Sequence, residues 1–232
     1  MAKISALSVF FPAYNEEANI QNTIDKALTI LPKLAREFEI IIVNDGSKDN
    51  TAKIVQNNIS KNPKIKLINH KINRGYGESL KTGLYSCRYP FIAFTDSDGQ
   101  FDINDLTRFI AKIDDFDLVA GFRVNRAEKG IRLFNAKAWG FLIRLLFDLN
   151  VKDIDCGFKL LKIKVINTIP RLQSTGALIS AELLIKAKKA GFRITEVEVN
   201  HFPRTKGQQT GANIKVISKA FWELLKLYKK LR

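Results

Sequence analysis

The sequence predicts an α/β protein with a mostly parallel central sheet flanked by helices. In the first half of the chain, strand-like and helix-like segments alternate. The strand-like segments are short apolar runs, which is typical of strands buried on both faces. The helical segments between them are long enough to serve as crossover connections, so the alternation indicates βαβ units. The chain has 232 residues, of which 46% are hydrophobic and 26% charged, enough for one large folded domain or two small ones.

The first half is predicted to contain five strands and four helices. The strands are Leu7–Phe11, which we expect Pro12 to end, Phe38–Val43, Ile65–Ile68, Phe91–Thr95 and Asp117–Ala120. The helices are Ala18–Leu31, Thr51–Ile59 with Asp49 as its cap, Glu78–Ser86 and Asp102–Ile113.

The second half is less regular. It predicts helices at Ala136–Leu149 and Ala177–Ala190, a strand at Ile194–Val199 and an amphipathic helix at Ile214–Leu231. The apolar stripe of the last helix comprises Ile214, Ile217, Phe221, Leu224, Leu225, Tyr228 and Leu231. We expect one catalytic domain over 1–211, with halves at 1–122 and 123–211, followed by a basic amphipathic helix over 212–232.

The charge is distributed unevenly. Residues 1–122 carry 15 basic and 15 acidic side chains, so the whole net charge of +15 lies in residues 123–232. This predicts an anionic partner for the second half: nucleic acid, an anionic membrane surface or a phosphorylated substrate. The two cysteines, Cys87 and Cys156, form no CxxC motif, which argues against a zinc site or a disulfide framework. No apolar run is long enough to span a bilayer.

Polar residues follow three of the predicted strands. They are Pro12-Ala13-Tyr14-Asn15-Glu16-Glu17, Asn44-Asp45-Gly46-Ser47-Lys48-Asp49 and Thr95-Asp96-Ser97-Asp98-Gly99-Gln100. Each alone reads equally well as a turn or a helix cap. Together, at the carboxyl ends of parallel strands, they predict one acidic crevice. There is no GxGxxG or GxxxxGK[ST] motif for phosphates, so a divalent cation would have to reach a diphosphate. Asp98 and Gln100 offer oxygen ligands for it and would share a face if the strand continued.

These segments, together with Asn73-Arg74-Gly75, resemble glycosyltransferase family 2, which has the GT-A fold and uses nucleotide-sugar donors. The order and spacing match over roughly the first 125 residues. Within the family, the chain is most similar to the polyprenyl-phosphate sugar synthases that make dolichyl-phosphate mannose or glucose. Asp155-Cys156-Gly157-Phe158-Lys159-Leu160 resembles the glucosyl branch, and His201-Phe202-Pro203-Arg204 with Lys206-Gly207 resembles both. Asn44 stands where an Asp is common.

The resemblance implies a role for each matching position. Pro12, Tyr14 and Glu16 would line the base and ribose pocket, which Val43 and Asp45 would complete. Asp96, followed by Ser97, would contact the nucleoside or sugar, and Asp98 with Gln100 would hold Mn²⁺ or Mg²⁺ on the diphosphate. Arg123 would face the sugar or the acceptor phosphate, and Arg204 and Lys206 would clamp phosphates. The implied catalytic residues are Asp98, Arg123 and Arg204.

The resemblance therefore implies a metal-dependent, inverting transfer of a hexose from a nucleotide sugar, of the GDP-mannose or UDP-glucose type, to a polyprenyl phosphate. A phosphate acceptor is mostly ionised at pH 7 and needs positioning rather than a base. The alternative acceptor is a glycan or glycolipid hydroxyl, for which Glu182 is the candidate base. A remote alternative is a basic nucleic-acid-binding protein, which no motif in the sequence supports.

We expect the chain to work at a membrane surface. The C-terminal helix combines an apolar stripe with lysines, a pattern typical of interfacial helices, although packing on the core would produce it too. Trp139–Leu149 has the same two interpretations. The expected location is cytoplasmic, peripheral at the cytoplasmic face of the membrane and possibly dependent on a separate membrane partner. We expect His70 to lie in an exposed loop. We expect His201 either to contact a phosphate or to make a structural hydrogen bond.

Overall fold

The computed structural model describes residues 3–124, 131–204 and 214–231, and in these ranges seven strands form one sheet. The sheet order is β3-β2-β1-β4-β6-β5-β7. Four neighbouring pairs are parallel, and β6 runs antiparallel to β4 and β5. The strands are β1 (Ile4–Ala13), β2 (Ala35–Asn44), β3 (Ile65–Asn69), β4 (Phe91–Phe94), β5 (Leu118–Arg123), β6 (Lys159–Lys162) and β7 (Ile194–Val199).

Helices cover both faces of the sheet. They are α1 (Ile20–Leu34), α2 (Thr51–Ile59), α3 (Tyr76–Ser86), α4 (Leu106–Ile113), α5 (Ile131–Phe147), α6 (Ile163–Thr168), α7 (Ile179–Lys189) and α8 (Ile214–Leu231). A 3₁₀ turn at Ile103–Asp105 precedes α4. The predicted α/β class with a mostly parallel sheet is confirmed.

Two predicted features of the sheet are wrong. β1 does not end at Pro12: it continues to Ala13, and Pro12 lies beside Val43 of β2. The strand β6 and the helix α6 were not predicted. Because β6 is only four residues long and begins and ends with lysine, it lacks the longer apolar run that marks the other strands. It separates β4 from β5 in the sheet.

The core consists of two layers, one on each face of the sheet. Leu7, Val9 and Phe11 of β1 point into the layer that contains residues of α1 and α4. Phe10 points into the other layer, with residues of α3, α5, α7 and α8. This alternation follows from the two-residue period of a strand. Because the two apolar layers lie on the faces of the sheet, the carboxyl ends of the strands are free to carry polar residues.

The expected division of the chain at 211/212 lies outside the described residues, in 205–213. The described part of the C-terminal segment is helix α8, with the bounds that the sequence predicts. Leu224 and Leu227 of this helix are buried. Leu225, which was predicted to belong to the apolar stripe, is instead exposed.

Candidate functional site

The candidate site lies along one edge of the sheet. β1, β2, β4, β5 and β7 all run in the same direction, so the segments that follow them leave the sheet at the same edge. In the register, Ala13 at the end of β1 lies beside Asn44 at the end of β2. The polar segments predicted from the sequence are therefore neighbours in space.

Arg204 joins two of the carboxylates at this edge. Its Nη2 lies 2.7 Å from Oε1 of Glu16, and its Nη1 lies 3.5 Å from Oδ2 of Asp98. Burial raises the pKa of Glu16, although hydrogen bonds from Asn19 and Arg204 oppose that shift. We call Glu16, Asp96, Asp98 and Arg204 the acidic crevice. It holds three carboxylates and one guanidinium, and the positive charges of Arg123 and Lys159 also act on Asp96.

The carboxylate of Asp96 contacts the start of α3. Its Oδ1 accepts a hydrogen bond of 2.9 Å from the hydroxyl of Tyr76. Burial, together with the negative charge of Asp98, raises the pKa of Asp96 to about 6. Tyr76, the first residue of α3, was not predicted as a site residue.

A cavity of about 640 Å³ opens on the loops after β1, β2 and β3. Of the residues predicted to form the base and ribose pocket, Tyr14 lines it. The other lining residues are Asn44, Gly46, Ser47, Lys48, Ala52, Asn69, His70, Lys71, Ile72 and Asn73. A cavity of this size is within the usual range for a small-molecule site.

Asp45 holds the wall of this cavity together. Its carboxylate accepts hydrogen bonds from the backbone N–H groups of Arg74 and Gly75 and lies 2.6 Å from Nδ1 of His70. Nε2 of His70 lies 2.9 Å from the hydroxyl of Thr82. The prediction that His70 is an exposed loop residue is wrong, because its side chain is only 6% exposed.

Gln100 connects the segment before Arg204 to the acidic crevice. Its side-chain Nε2 donates a hydrogen bond to the backbone carbonyl of Phe202, and its backbone carbonyl accepts one from the N–H of Phe202. The suggestion that Asp98 and Gln100 share a strand face is wrong. β4 ends at Phe94, and Oδ1 of Asp98 accepts from the N–H of Gln100 in a turn where Gly99 has a φ of 78°.

The family model of glycosyl transferase family 2 matches residues 8–169, which cover β1 to α6 and all three carboxylates of the acidic crevice. The chain belongs to glycosyltransferase family 2. The match covers more than half of the chain and includes the segments after β1, β2, β3 and β4 that carried the resemblance, whereas the segment after β7 lies beyond it.

Two named relatives lie among the polyprenyl-phosphate sugar transferases of this family. The dolichyl-phosphate beta-glucosyltransferase of Dictyostelium discoideum is 34% identical over 84% of this chain and 65% of its own length. The undecaprenyl-phosphate 4-deoxy-4-formamido-L-arabinose transferase of Proteus mirabilis is 27% identical over 93% of this chain and 66% of its own length. The chain thus spans just under two thirds of these family 2 relatives.

Solved structures confirm the GT-A fold of this family 2 chain. Glucosyl-3-phosphoglycerate synthase from Mycobacterium tuberculosis, crystallised with Mn²⁺, UDP and phosphoglyceric acid, has a TM-score of 0.71. It is 20% identical, and the match covers 97% of this chain and 78% of that one. The same protein with Mg²⁺ and UDP has a TM-score of 0.73 at 18% identity, over 97% of this chain and 80% of that one.

Several positions assigned by the family resemblance lie behind the cavity rather than in it. The side chain of Val43 has no exposed surface and packs in the apolar layer around α3. Pro12 is buried, and its carbonyl accepts a hydrogen bond of 2.7 Å from the Ser97 hydroxyl. Ser97 is 2% exposed. These three residues and Asp45 are buried, and none of them lines the cavity.

Arg123, at the end of β5, forms a two-point ion pair with Asp153. Its Nε lies 2.7 Å from Oδ2 and its Nη2 lies 2.9 Å from Oδ1, and its backbone N–H also donates to Oδ2. Asp153 was not predicted, because no motif marks it. The pair orients the guanidinium of Arg123 and offsets its charge.

The three remaining candidates from the sequence are Lys206, Glu182 and His201. Lys206 lies outside the described residues. Glu182 is buried and ion-paired with Lys186 at 2.5 Å, and it accepts hydrogen bonds from the N–H groups of Gln173 and Ser174. Burial raises its pKa, but these partners outweigh burial and lower it, so Glu182 is a poor proton acceptor. His201 is 7% exposed, and its ring packs edge-on against Phe101 at 5.2 Å.

The acidic crevice has the donor chemistry that a hard divalent cation requires. In the described ranges, no group of three or more His, Cys, Asp or Glu side chains is arranged to hold a metal ion. Mg²⁺, however, usually binds through one or two carboxylates and completes its shell with substrate phosphates and water. Asp98 is 14% exposed and already contacts a cationic group, so it fits this role. The side-chain oxygen of Gln100 is the second candidate ligand.

Proposed function

We propose that this chain is a metal-dependent hexosyltransferase that moves a sugar, glucose being the first candidate, from a nucleotide-sugar donor to a polyprenyl phosphate. The observation that carries the proposal is the acidic crevice: Glu16 and Asp98, joined by Arg204, lie beside Asp96 at the carboxyl edge of a GT-A sheet. The names of the relatives support the lipid-phosphate acceptor and the glucosyl product. The UDP bound in the structural neighbours favours UDP-glucose over GDP-mannose.

In this proposal the first half, 1–122, binds the donor. Tyr14 and the cavity after β1 to β3 hold the nucleoside, with Glu16 and Asp96 on the ribose or sugar. Asp98 and Gln100 hold Mn²⁺ or Mg²⁺, which would offset the charge that develops on the diphosphate leaving group. Pro12, Val43, Asp45 and Ser97 support these residues from behind. We place the acceptor in the second half, 123–211, and keep 212–232 as a separate helical segment.

The catalytic work of the protein is then mainly electrostatic. Arg204 and Lys206 stabilise negative charge on the departing diphosphate. Arg123, held by Asp153, would bring its positive charge to the acceptor phosphate. Because that phosphate is already ionised, attack at the anomeric carbon needs no protein base and inverts its configuration in an in-line displacement.

A hydroxyl acceptor is the second candidate, and it is less well supported. A hydroxyl has to lose its proton to a base during the attack. Glu182 was the residue considered for that role, but it is saturated by Lys186 and by the backbone N–H groups of 173 and 174. The proposal of a phosphate acceptor is therefore simpler.

We also propose that α5 and α8 lie on an anionic membrane, at its cytoplasmic face. Phe147 of α5 and Tyr228 of α8 contact each other with ring centroids 5.8 Å apart. The exposed apolar side chains of the two helices are Phe141, Leu145, Trp222 and Leu225. Arg144, Lys226, Lys229 and Lys230 are exposed beside them. We call these eight residues the α5–α8 surface. None of the described helices is both long and apolar enough to cross a bilayer.

A transfer assay tests the proposed function. The purified chain is mixed with UDP-glucose, UDP-N-acetylglucosamine, UDP-galactose and GDP-mannose, Mn²⁺ and an undecaprenyl phosphate in detergent, and the lipids are analysed by mass spectrometry. We expect a new lipid whose mass exceeds that of undecaprenyl phosphate by one hexose. Repeating the assay with each donor alone should show that UDP-glucose supplies this hexose. Release of UDP or GDP without a new lipid would reject the lipid-phosphate acceptor. Neither product nor nucleotide release from a folded chain would reject the proposed function.

A further inference from the structure

Two residues, Tyr76 and Gly157, enclose the carboxylate of Asp96. On one side, the hydroxyl of Tyr76 donates a hydrogen bond of 2.9 Å to Oδ1. On the other side lies Gly157, a buried glycine between Cys156 and Phe158. A methyl group on Gly157 would lie 2.4 Å from Oδ2 of Asp96 and 2.9 Å from its Cγ. The absence of a side chain at 157 is therefore what leaves room for the carboxylate.

The fold brings both residues to Asp96 independently. β6 pairs with β4 in the antiparallel direction, with Lys159 beside Phe94. Continuing that register by two residues on each strand places Gly157 opposite Asp96. Tyr76 arrives from the other direction, at the start of α3. The N–H of Gly75 donates to Asp45, and the N–H of Gly77 donates to the carbonyl of Thr175, so the backbone around Tyr76 is fixed on both sides.

The contacts with Tyr76 and Gly157 restrict the orientation of the Asp96 carboxylate. Asp98 lies two residues away, and its negative charge disfavours a second carboxylate beside it. A hydrogen bond from a fixed hydroxyl stabilises the carboxylate and selects one orientation of it. A close backbone on the opposite side excludes the other orientations. A group that binds ligand needs this kind of support, because a displacement of 1 Å can weaken binding and catalysis severely.

We propose that Tyr76 and Gly157 are positioning residues that hold the Asp96 carboxylate in the orientation that binds the donor sugar nucleotide. The inference rests on the proposed function, in which Asp96 contacts the ribose or the sugar. Neither residue touches the donor: Tyr76 acts through its hydrogen bond, and Gly157 acts through the space it leaves.

The test is a double-mutant cycle on donor binding. The dissociation constant of UDP-glucose with Mn²⁺ is measured by calorimetry for the full chain and for Gly157→Ala, Asp96→Ala and the double variant. We expect Gly157→Ala to weaken binding by about tenfold or more, because its methyl group displaces the carboxylate. In the Asp96→Ala background the same change should have almost no effect, since no carboxylate is left to displace. An equal loss in both backgrounds would contradict the inference, because it would indicate general damage.

A second variant keeps the test independent of any folding defect. Tyr76→Phe removes only the hydroxyl, and we expect it to weaken donor binding by about tenfold, the cost of losing a hydrogen bond to a charged group. It should raise the KM for the donor while leaving the KM for the lipid phosphate unchanged.

Two control variants are matched to these changes. Tyr85→Phe removes another hydroxyl of α3, one that accepts from the N–H of Leu172, and Gly176→Ala adds a methyl group whose nearest neighbour lies 3.7 Å away. Both should bind the donor as the unmodified chain does. Binding by Tyr76→Phe and Gly157→Ala that equals that of the controls would overturn the inference. Failure of the unmodified chain to bind UDP-glucose would instead reject the proposed donor.

Discussion

Single side chains set the charge balance of the acidic crevice, and Arg204 contributes most to it. The guanidinium reaches Glu16 and Asp98 at once, and it comes from a segment 188 residues further along the chain than Glu16. A bridge of this kind offsets the repulsion between carboxylates that would otherwise raise one another's pKa. It also means that a metal ion or a diphosphate at Asp98 has to share that carboxylate with Arg204.

Asp98→Asn tests the metal-binding role. We expect hexose transfer to fall by about 100-fold or more, because the neutral amide binds a hard cation weakly. The melting temperature should change by only a few degrees, since the side chain of Asp98 belongs to neither apolar layer of the core. Transfer rates with Mn²⁺ and thermal unfolding are the two measurements. Asp114→Asn, which removes an exposed carboxylate at the end of α4, is the control. Normal turnover of Asp98→Asn would show that the metal assignment is wrong.

Glu182→Gln separates the two acceptor hypotheses. If Glu182 only holds the 173–174 backbone and Lys186, the variant should lose about 1–3 kcal/mol of unfolding free energy while keeping its kcat within a few-fold. Chemical denaturation and the transfer rate per folded molecule are measured side by side. A loss of kcat of about 100-fold without a loss of stability would be the signature of a general base.

Glu39 predicts how stability depends on pH. The carboxylate of Glu39, which lies in β2, is fully buried. It accepts hydrogen bonds of 2.6 Å from the Nζ of Lys66 and from the hydroxyl of Ser8. Burial raises its pKa, but these partners outweigh burial, so the folded-state pKa lies below the ordinary value of 4.5. The stabilisation is therefore complete above pH 4.5 and is lost as the pH falls through the folded-state pKa.

The measurement is urea denaturation of the unmodified chain and of Glu39→Gln between about pH 3.5 and 7. We expect the difference in unfolding free energy to be constant at neutral pH and to shrink below the ordinary pKa of Glu39. A difference that grows as the pH falls would contradict the assigned direction of the shift.

Among the secondary-structure elements, those with long apolar runs or clear periodicity could be predicted from the sequence. β7, α2 and α8 have the bounds that the pattern predicts, and β2 and α1 differ by a few residues. β6 could not be predicted because four residues that begin and end with lysine carry no distinctive period. The relation of Tyr76 and Gly157 to Asp96 could not be predicted either, because it depends on where β6 and α3 lie, which local sequence does not record.

The α5–α8 surface gives a prediction for two helices acting together. Trp222→Ser with Leu225→Ser should lower co-sedimentation with vesicles of phosphatidylglycerol and phosphatidylcholine by several-fold, because the apolar anchor is lost. Ile72→Ser, which removes an apolar residue of similar exposure on the loop after β3, is the matched control and should bind normally. Unchanged co-sedimentation of the double variant would reject the membrane role of α8.

The molecule as a whole divides its charge as it divides its proposed tasks. The first half is neutral and carries the three carboxylates of the acidic crevice, whereas the second half carries Arg204 and the net charge of +15. This matches a donor that reaches the protein through a cation and an acceptor that is an anionic lipid at a membrane surface. The chain spans 65% of the length of its Dictyostelium relative, so the complete relatives contain regions that this chain does not match.

The central claim is that a lipid phosphate, rather than an alcohol, accepts the sugar. The measurement that tests it most directly compares undecaprenyl phosphate with undecaprenol as acceptors, with UDP-glucose and Mn²⁺ at identical detergent concentrations. We expect a glucosylated product from the phosphate and none from the alcohol, because the proposed acceptor site has the cationic Arg123 for a phosphate, whereas Glu182, the base considered for a hydroxyl, is held by Lys186 and the N–H groups of 173 and 174. Equal or preferred transfer to undecaprenol would contradict the account.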